Sequence, residues 1–146
     1  MSTLGLGHDV VHLPSFADQL ADEASGFEAA TFTAGERASV APSGPRRTES
    51  LAARFAAKEA LIKAWSAARF GRPPAIAAAD LREIEVVVDG WGRPSLVLHG
   101  VVGREVQRLA DEAPVHAQVS LSHDGPVASA VVILVADDAR DLRISS

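Results

Sequence analysis

The segment from Arg54 to Trp65 has the repeat of a long helix, but it carries charges where a core helix would not have them. At about 100° per residue, Lys58 falls in the middle of an apolar helix face and Arg54 at its edge. That face is formed by Leu51, Phe55, Ile62 and Trp65. Glu59 and Lys63 lie one above the other on its flank, so the two lysines of the chain bracket one carboxylate. Cations beside a carboxylate in an apolar stripe indicate a partly buried site for phosphate and metal.

Length and composition predict one globular domain. The chain has 146 residues, of which 47% are hydrophobic and 23% charged. We expect the domain to span residues 1–136, followed by a polar tail over residues 137–146. The sequence has no apolar run near the roughly 20 residues of a membrane span, and its first residues lack the features of a secretory signal. Without cysteine there is no disulfide or thiolate chemistry, so a cytoplasmic protein with no membrane partner is predicted.

Charge is distributed unevenly along the chain. Residues 37–72 hold eight basic residues against two acidic ones, whereas the remainder carries a net charge of −11. This pattern predicts an anionic ligand or an acidic partner, with Arg37, Arg46 and Arg47 as docking candidates. A basic helix that is simply solvated is the alternative. Nucleic acid is not expected, because aromatic residues make up 5% of the chain and no nucleic-acid-binding motif is present.

Hydrophobic period and turn residues predict an α+β fold, with an antiparallel-rich sheet packed against the long central helix. Strands are predicted over residues 4–13, 84–88, 95–99, 116–122 and 128–135. Helices are predicted over residues 15–25, from residue 33 onward, and over residues 48–68 and 103–112. Ser15 is the expected N-cap of the first helix, and Thr33 with Glu36 forms a capping box at the start of the second.

Two further segments could carry chemistry. In the first strand, Gly5, Gly7 and Asp9 share one face, so a ligand or another backbone can approach Asp9 closely. A dinucleotide fingerprint is excluded because Val10 stands where its third glycine belongs. The alternative is that the glycines only permit tight strand–helix packing.

The other segment is Ser122-His123-Asp124, whose neighbouring side chains cannot converge as a catalytic triad. Such a polar cluster at a strand end can bind phosphate oxygens or steer a water, or it can simply form a turn. In the long helix, Glu59 and Lys63 can likewise form an ordinary surface ion pair, worth a few tenths of a kcal/mol. Arg54 and Lys58 would still offer two cations at one place.

Taken together, these motifs resemble the holo-[acyl-carrier-protein] synthases, the small bacterial class of 4′-phosphopantetheinyl transferase. The resemblance covers nearly the whole chain. It rests on the ordered segments Gly5-Leu6-Gly7-His8-Asp9, Phe32-Thr33 with Glu36, Arg54-Phe55-Ala56-Ala57-Lys58-Glu59-Ala60 with Lys63, Gly92-Arg93-Pro94, and Ser120-Leu121-Ser122-His123-Asp124. Trp65 and Trp91 look most like actinobacterial members. His12 departs from the pattern, since many members carry an acidic residue there.

The resemblance implies a Mg²⁺-dependent enzyme that moves the phosphopantetheine arm of coenzyme A onto a serine of an apo acyl carrier protein, releasing 3′,5′-ADP. The acceptor would be a free carrier or the carrier domain of a fatty-acid or polyketide synthase. By resemblance, Asp9 and Glu59 are the metal ligands. The implied phosphate- and nucleotide-binding residues are Arg54, Lys58, Lys63, Gly92, Arg93, Pro94, Ser122 and His123. Small members are homotrimers whose sites lie between neighbours, which implies a shared site here.

For the chemistry, Glu59 is the expected general base and Asp124 the second choice. Lys63 would neutralise charge on the leaving group. Two functions of other classes remain open. One is a nucleotide-binding module that performs no chemistry, and the other is a structural subunit in which Glu59 and Lys63 form an ion pair.

Overall fold

The computed structural model describes residues 1–138, which form two antiparallel sheets around one long helix. The strands are β1 (Ser2–His12), β2 (Ile84–Val88), β3 (Pro94–Leu98), β4 (Val115–Asp124) and β5 (Val127–Ala136). The helices are α1 (Leu13–Ala21), α2 (Phe27–Thr31), α3 (Ala34–Ala38), α4 (Gly44–Ala68) and α5 (Gly100–Gln107). Of the predicted polar tail, residues 139–146 lie outside the described residues. None of the helices in residues 1–138 is both long and apolar enough to cross a membrane.

The larger sheet has the order β1–β5–β4, and β2 and β3 form a separate hairpin. Every strand pair is antiparallel, and α4 packs against β1 and β5, so the predicted fold class is confirmed. Alternation along β5 turns Ala128, Ala130, Val132 and Leu134 inward. These small and branched side chains form the core between the sheet and α4.

The two glycines of β1 let α4 lie against the strand backbone. Both are buried, and a Cβ atom at Gly5 or Gly7 would overlap the carbonyl oxygen of Ala64 or Ala60. Tight strand–helix packing is therefore one role of these glycines. The same close approach brings Asp9, two residues further along β1, next to the helix that carries the predicted site.

Replacing Gly7 by alanine is expected to destabilise the fold by about 1–3 kcal/mol, since a methyl group there must displace helix backbone. Gly90→Ala is the matched control, because a Cβ at Gly90 meets nothing within 4 Å. Urea unfolding of both variants measures the difference. Equal unfolding midpoints of the two variants would show that α4 can move away from β1 to make room for the methyl group without a loss of stability.

The helix α4 is buried around most of its circumference, which corrects the prediction of one apolar face. The buried side chains include the predicted Leu51 and Trp65, but also six alanines and Leu61. The prediction counted only large apolar side chains, so it did not include the alanines. Alanine is small enough to fit where α4 lies against β1, a strand that contains two glycines.

The predicted starts of three helices were wrong, and α1 and α5 also end earlier than predicted, at Ala21 and Gln107. Ser15 is not an N-cap: α1 begins at Leu13 with Pro14 in its first turn, and the Ser15 hydroxyl contacts His12 Nδ1 at 2.7 Å. The helix α4 also begins earlier than predicted, at Gly44, with a proline in its first turn. Proline is favoured there because its missing N–H would have no helical partner. The helix α5 begins at Gly100, where the carboxylate of Glu83 accepts from the next two backbone N–H groups. A cap from so distant a residue leaves no local sequence signal.

Candidate active site

Asp9 on β1 and Glu59 on α4 line the same cleft, of about 360 Å³. The Asp9 side chain is 14% exposed, and Glu59 is half-buried. Burial raises the pKa of Glu59 above its ordinary value, and the nearby charge of Asp9 raises it further. The structure thus brings the two predicted metal ligands, 50 residues apart in sequence, to one place with an excess of negative charge.

Lys63 faces this carboxylate pair. Its Nζ donates to Oδ1 of Asp9 at 2.8 Å, and this hydrogen bond raises the pKa of the lysine. Within residues 1–138 the Lys63 ammonium makes no ion pair with Glu59 at 4 Å or less, so the alternative of an ordinary Glu59–Lys63 surface pair is not what the structure contains. The positive charge of Lys63 instead lowers the pKa of Glu59, against the larger effects of burial and Asp9.

The residues of this cleft fit a divalent cation. Residues 1–138 contain no cluster of three or more His, Asp or Glu side chains arranged to hold a metal. Mg²⁺ does not need one, because it commonly takes one or two protein carboxylates and completes its shell with phosphate oxygens and waters. A cation would also relieve the repulsion that raises the pKa of Glu59. His12 also lines the cleft, but its ring is engaged with Ser15.

Lys58 does not belong to a ligand site, which corrects the prediction that it binds phosphate. Its side chain is 0% exposed, and its ammonium donates to Glu36 Oε1 at 2.7 Å and to the carbonyl oxygens of Leu81 and Ile84 at 2.8 and 2.7 Å. Each of the three N–H groups of the ammonium is paired with one of these acceptors, so Lys58 has no donor left for a ligand. Glu36 is equally buried, and besides closing the predicted capping box it accepts from the backbone N–H of Val86.

Arg54 lies in a groove of about 870 Å³ together with three other predicted nucleotide-binding residues, Gly92, Pro94 and His123. Its guanidinium donates to Ser39 Oγ and to the carbonyl oxygen of Ser50, both at 3.2 Å. Its Nε is buried without a hydrogen-bond partner within residues 1–138. Burial lowers the pKa of Arg54, so an anion in the groove would be favoured by this poorly compensated charge.

Arg93 lies at the tip of the β2–β3 hairpin, between groove residues Gly92 and Pro94. Its Nε donates to Oδ2 of Asp89 at 2.6 Å, and its guanidinium stacks on the ring of Trp91 at 5.1 Å. Both contacts orient the cation before any ligand arrives. The sequence analysis missed Asp89, although an aspartate that opens a glycine-containing turn is a recognisable signal for such contacts.

The predicted cluster at the end of β4 does not act as one unit. Ser122 and His123 are neighbours in an extended strand, so their side chains point to opposite faces of the sheet. His123 lines the groove, whereas Ser122 lies on the open face opposite Ser129. Within one chain these two side chains therefore do not meet at one place.

Asp124 is far from Glu59 within one chain. Asp9 pairs with Ala130, which pairs with Leu121, so Asp124 lies two strands across and three residues further along. The Cα atom of Asp124 therefore lies about 10 Å across the sheet and about 10 Å along the strand direction from that of Asp9. Within one chain Asp124 therefore lies outside the carboxylate cleft, and its predicted role as the second-choice base requires a site shared between subunits.

The predicted site residues divide between two clefts. Arg54 and Glu59 are five residues apart on α4, so their side chains leave the helix in directions about 140° apart. The carboxylate cleft and the groove of Arg54 have no lining residue in common. Sequence reasoning also missed Gln19 of the carboxylate cleft and Ser39 of the groove. Isolated polar residues like these give no signal in one sequence.

Comparison with known proteins identifies the family of this chain. The sequence model of the 4′-phosphopantetheinyl transferase superfamily matches residues 5–132. The holo-[acyl-carrier-protein] synthase of Mycobacterium ulcerans (strain Agy99) is 46% identical over 134 residues, covering 92% of this chain and 98% of that protein.

Two solved structures are similar as well. The ACPS–CoA complex of Chronobacterium ammoniagenes superposes with a TM-score of 0.82 at 40% identity, covering 94% of this chain and 100% of that one. The acyl carrier protein synthase of Mycobacterium tuberculosis gives a TM-score of 0.73 at 41% identity, covering 93% and 100%. The resemblance seen in the sequence motifs is confirmed: the chain belongs to the 4′-phosphopantetheinyl transferase superfamily and, within it, to the holo-[acyl-carrier-protein] synthases.

Proposed function

We propose that this enzyme transfers the 4′-phosphopantetheine group of coenzyme A to a serine of an apo acyl carrier protein, with Mg²⁺, and releases 3′,5′-ADP. The observation that carries the proposal is the carboxylate pair of Asp9 and Glu59 in one cleft, with the ammonium of Lys63 hydrogen-bonded to Asp9. Membership of the holo-[acyl-carrier-protein] synthases and the relatives solved with coenzyme A support it.

Asp9 and Glu59 would hold the Mg²⁺ ion. When bound, the ion supplies positive charge that polarises the phosphoryl oxygens of the substrate. The chain's own contribution is to place two carboxylates from separate elements at one point and to limit water around Glu59 by burial.

The reaction forms a bond between the serine oxygen of the carrier and the β-phosphorus of coenzyme A. The pyrophosphate P–O bond breaks, and its electrons leave on 3′,5′-ADP. Glu59 accepts the hydroxyl proton of the serine, directly or through a water. Lys63 neutralises charge that develops on the leaving group. Positioning and charge stabilisation dominate in transfers of this kind.

The 3′,5′-ADP portion would occupy the groove of Arg54, Gly92, Pro94 and His123, with Arg93 at its rim. The buried positive charge of Arg54 and the pre-oriented guanidinium of Arg93 favour an anionic ligand there. Because this groove and the carboxylate cleft open on different flanks of α4, one coenzyme A would bridge the groove of one subunit and the cleft of its neighbour.

Association of copies through the open face of the β1–β5–β4 sheet would build such a shared site. Leu6, Val10 and Val131 lie on this face and are 58%, 55% and 36% exposed. An apolar strip of this kind on a sheet face is typical of a protein–protein interface. We propose a homotrimer, and light scattering of the enzyme measures the subunit number.

The proposal is tested by incubating the enzyme with coenzyme A, Mg²⁺ and apo carrier proteins, both free and excised from synthases. Intact-mass analysis should show one phosphopantetheine added to the carrier, with 3′,5′-ADP released in equal amount and both suppressed by a chelator. An unmodified serine-containing carrier under all these conditions would overturn the function.

The acidic carrier is expected to dock on the basic segment. Arg37 is exposed, whereas Arg47 is half-buried and ion-paired with Glu28, so Arg37 is the better candidate of the two. Arg37→Glu should lower kcat/KM for the carrier by about 3–10-fold at low salt, with KM for coenzyme A unchanged. Arg108→Glu, a charge reversal at an exposed position directly after α5, is the control. Equal effects of the two variants at all salt concentrations would exclude docking at Arg37.

A further inference from the structure

One carboxylate holds the tip of the β2–β3 hairpin together. The turn is closed by two backbone hydrogen bonds, from the N–H of Asp89 to the carbonyl oxygen of Arg93 at 3.1 Å and from the N–H of Gly92 to that of Asp89 at 3.0 Å. The Oδ1 atom of Asp89 accepts from two further backbone N–H groups, those of Trp91 at 2.8 Å and Arg93 at 2.9 Å. One oxygen of the carboxylate is therefore engaged in shaping the turn.

The other carboxylate oxygen of Asp89 faces the Arg93 side chain. The Nε atom of Arg93 donates to Oδ2 at 2.6 Å, a short hydrogen bond between charged groups. Hydrogen bonds from the backbone and the side chain of Arg93 lower the pKa of Asp89, so the carboxylate is charged at neutral pH. The two oxygens thus have separate tasks, because Oδ1 fixes the backbone and Oδ2 fixes the direction of the guanidinium.

The contacts of the guanidinium contribute little to the stability of the fold. The side chains of Asp89 and Arg93 are 37% and 72% exposed, and an ion pair this open to solvent is screened by water and salt. Trp91, whose ring lies 5.1 Å from the guanidinium, is 82% exposed and so buries little area in the core. Both contacts therefore orient a cation more than they hold the hairpin.

The oriented guanidinium keeps donors for a ligand. Its two Nη groups make no hydrogen bond within residues 1–138. The neighbours of Arg93 in sequence, Gly92 and Pro94, both line the groove of Arg54. A mobile arginine loses side-chain freedom when it binds an anion, which weakens binding. Asp89 restricts that freedom before the ligand arrives.

We infer that Asp89 is a positioning residue for coenzyme A, because it holds Arg93 in the direction that meets anionic groups of the substrate at the rim of the groove. The inference rests on the proposed function, which places the 3′,5′-ADP portion in this groove. Asp89 is itself an anion, so it acts through Arg93 and not by binding phosphate. Its negative charge alone would weaken phosphate binding, but solvent and salt screen this repulsion at an exposed position.

Asp89→Asn separates the two tasks of the side chain. The amide oxygen still accepts from the backbone N–H groups of the turn, whereas an NH₂ group replaces Oδ2 and no longer accepts from Arg93. The Kd of 3′,5′-ADP, measured by calorimetry, should rise about 3–10-fold, and KM for coenzyme A should rise with it. The value of kcat should change by less than about 2-fold, since the reacting phosphate lies in the carboxylate cleft.

Asp80→Asn is the matched control. Asp80 forms the same kind of exposed pair, since Oδ1 accepts from the backbone N–H and Nε of Arg82 and Oδ2 accepts from its Nη2. Neither residue lines the groove of Arg54 or the carboxylate cleft. The control should leave the Kd of 3′,5′-ADP and KM for coenzyme A as in the wild type. Both variants should melt close to the wild type, because both ion pairs are exposed.

A double-mutant cycle shows whether Asp89 acts through Arg93. Arg93→Gln should weaken the binding of 3′,5′-ADP more than Asp89→Asn does, since it removes the cation itself. In the Arg93→Gln background, Asp89→Asn should not weaken binding further, because there is no guanidinium left to orient.

The outcomes separate this inference from the function on which it rests. If Asp89→Asn binds 3′,5′-ADP as tightly as the wild type or more tightly, Asp89 acts at most as a repelling charge and the inference is overturned. Equal weakening with and without Arg93, or equal weakening by Asp80→Asn, overturns it as well. If the wild type neither binds coenzyme A nor modifies any carrier, the proposed function itself fails.

Discussion

Lys58→Met is expected to destabilise the protein by about 3–5 kcal/mol, the largest stability effect we expect from any single side chain. The substitution leaves the carboxylate of Glu36, 1% exposed, buried without its cation. It also removes the donor to two buried carbonyl oxygens, those of Leu81 and Ile84. Urea unfolding monitored by circular dichroism measures the loss.

The second lysine of the chain provides the matched control for this experiment. The side chain of Lys63 is 53% exposed, so Lys63→Met should change the unfolding free energy by no more than about 1 kcal/mol. The same variant should impair transfer, since Lys63 faces the reacting phosphates in the proposed mechanism. If both variants were equally stable, the Lys58–Glu36 pair would not be the buried link between α4, α3 and β2 described above.

Glu59→Gln should lower kcat for transfer by at least about 100-fold, because it removes both a proposed metal ligand and the proposed general base. Binding of coenzyme A, measured by calorimetry, should survive, since the groove of Arg54 is untouched. That combination distinguishes an enzyme from a nucleotide-binding module. If activity does not depend on Glu59, the nucleotide-binding module is favoured. If Mg²⁺ does not change the melting temperature with coenzyme A present, a structural role for Asp9 and Glu59 is favoured.

The stability of the wild-type protein relative to this variant should depend on pH in a defined direction. The pKa of Glu59 in the folded protein lies above the ordinary value of 4.5, so folding favours its protonated form. The stability due to Glu59 is present below pH 4.5 and is lost as the pH rises through the raised pKa. Without metal, wild type should therefore lose stability relative to Glu59→Gln over that window, measured by thermal melts from pH 4 to 8. A difference that runs the other way would contradict the account of its environment.

The local features of the fold were predictable from the sequence, because each depends on residues close together in the chain. The capping box of Thr33 and Glu36 and the β2–β3 hairpin are of this kind. The convergence of Asp9 and Glu59 was predictable for a different reason. A strand with two glycines indicates a close approach of another element, and the family resemblance identified that element as α4.

The role of Lys58 could not be predicted, because its acceptors lie 22 to 26 residues away and two of them are backbone carbonyls. A lysine in an apolar stripe gives the same pattern whether it reaches out to solvent or is paired inside. The separation of Ser122 from His123 depends on β4 extending to Asp124, two residues beyond its predicted end. In a loop they could have faced one ligand, but in a strand they cannot.

The central claim is that Asp9 and Glu59 share one divalent ion with the phosphates of coenzyme A. A crystal grown with coenzyme A and Mn²⁺ in place of Mg²⁺ tests it, because Mn²⁺ is located by its anomalous scattering. The account predicts one peak in contact with a carboxylate oxygen of each residue and with a phosphate oxygen. A coenzyme A complex whose ion touches neither carboxylate, or whose Asp9 and Glu59 bind only protein groups, would contradict it.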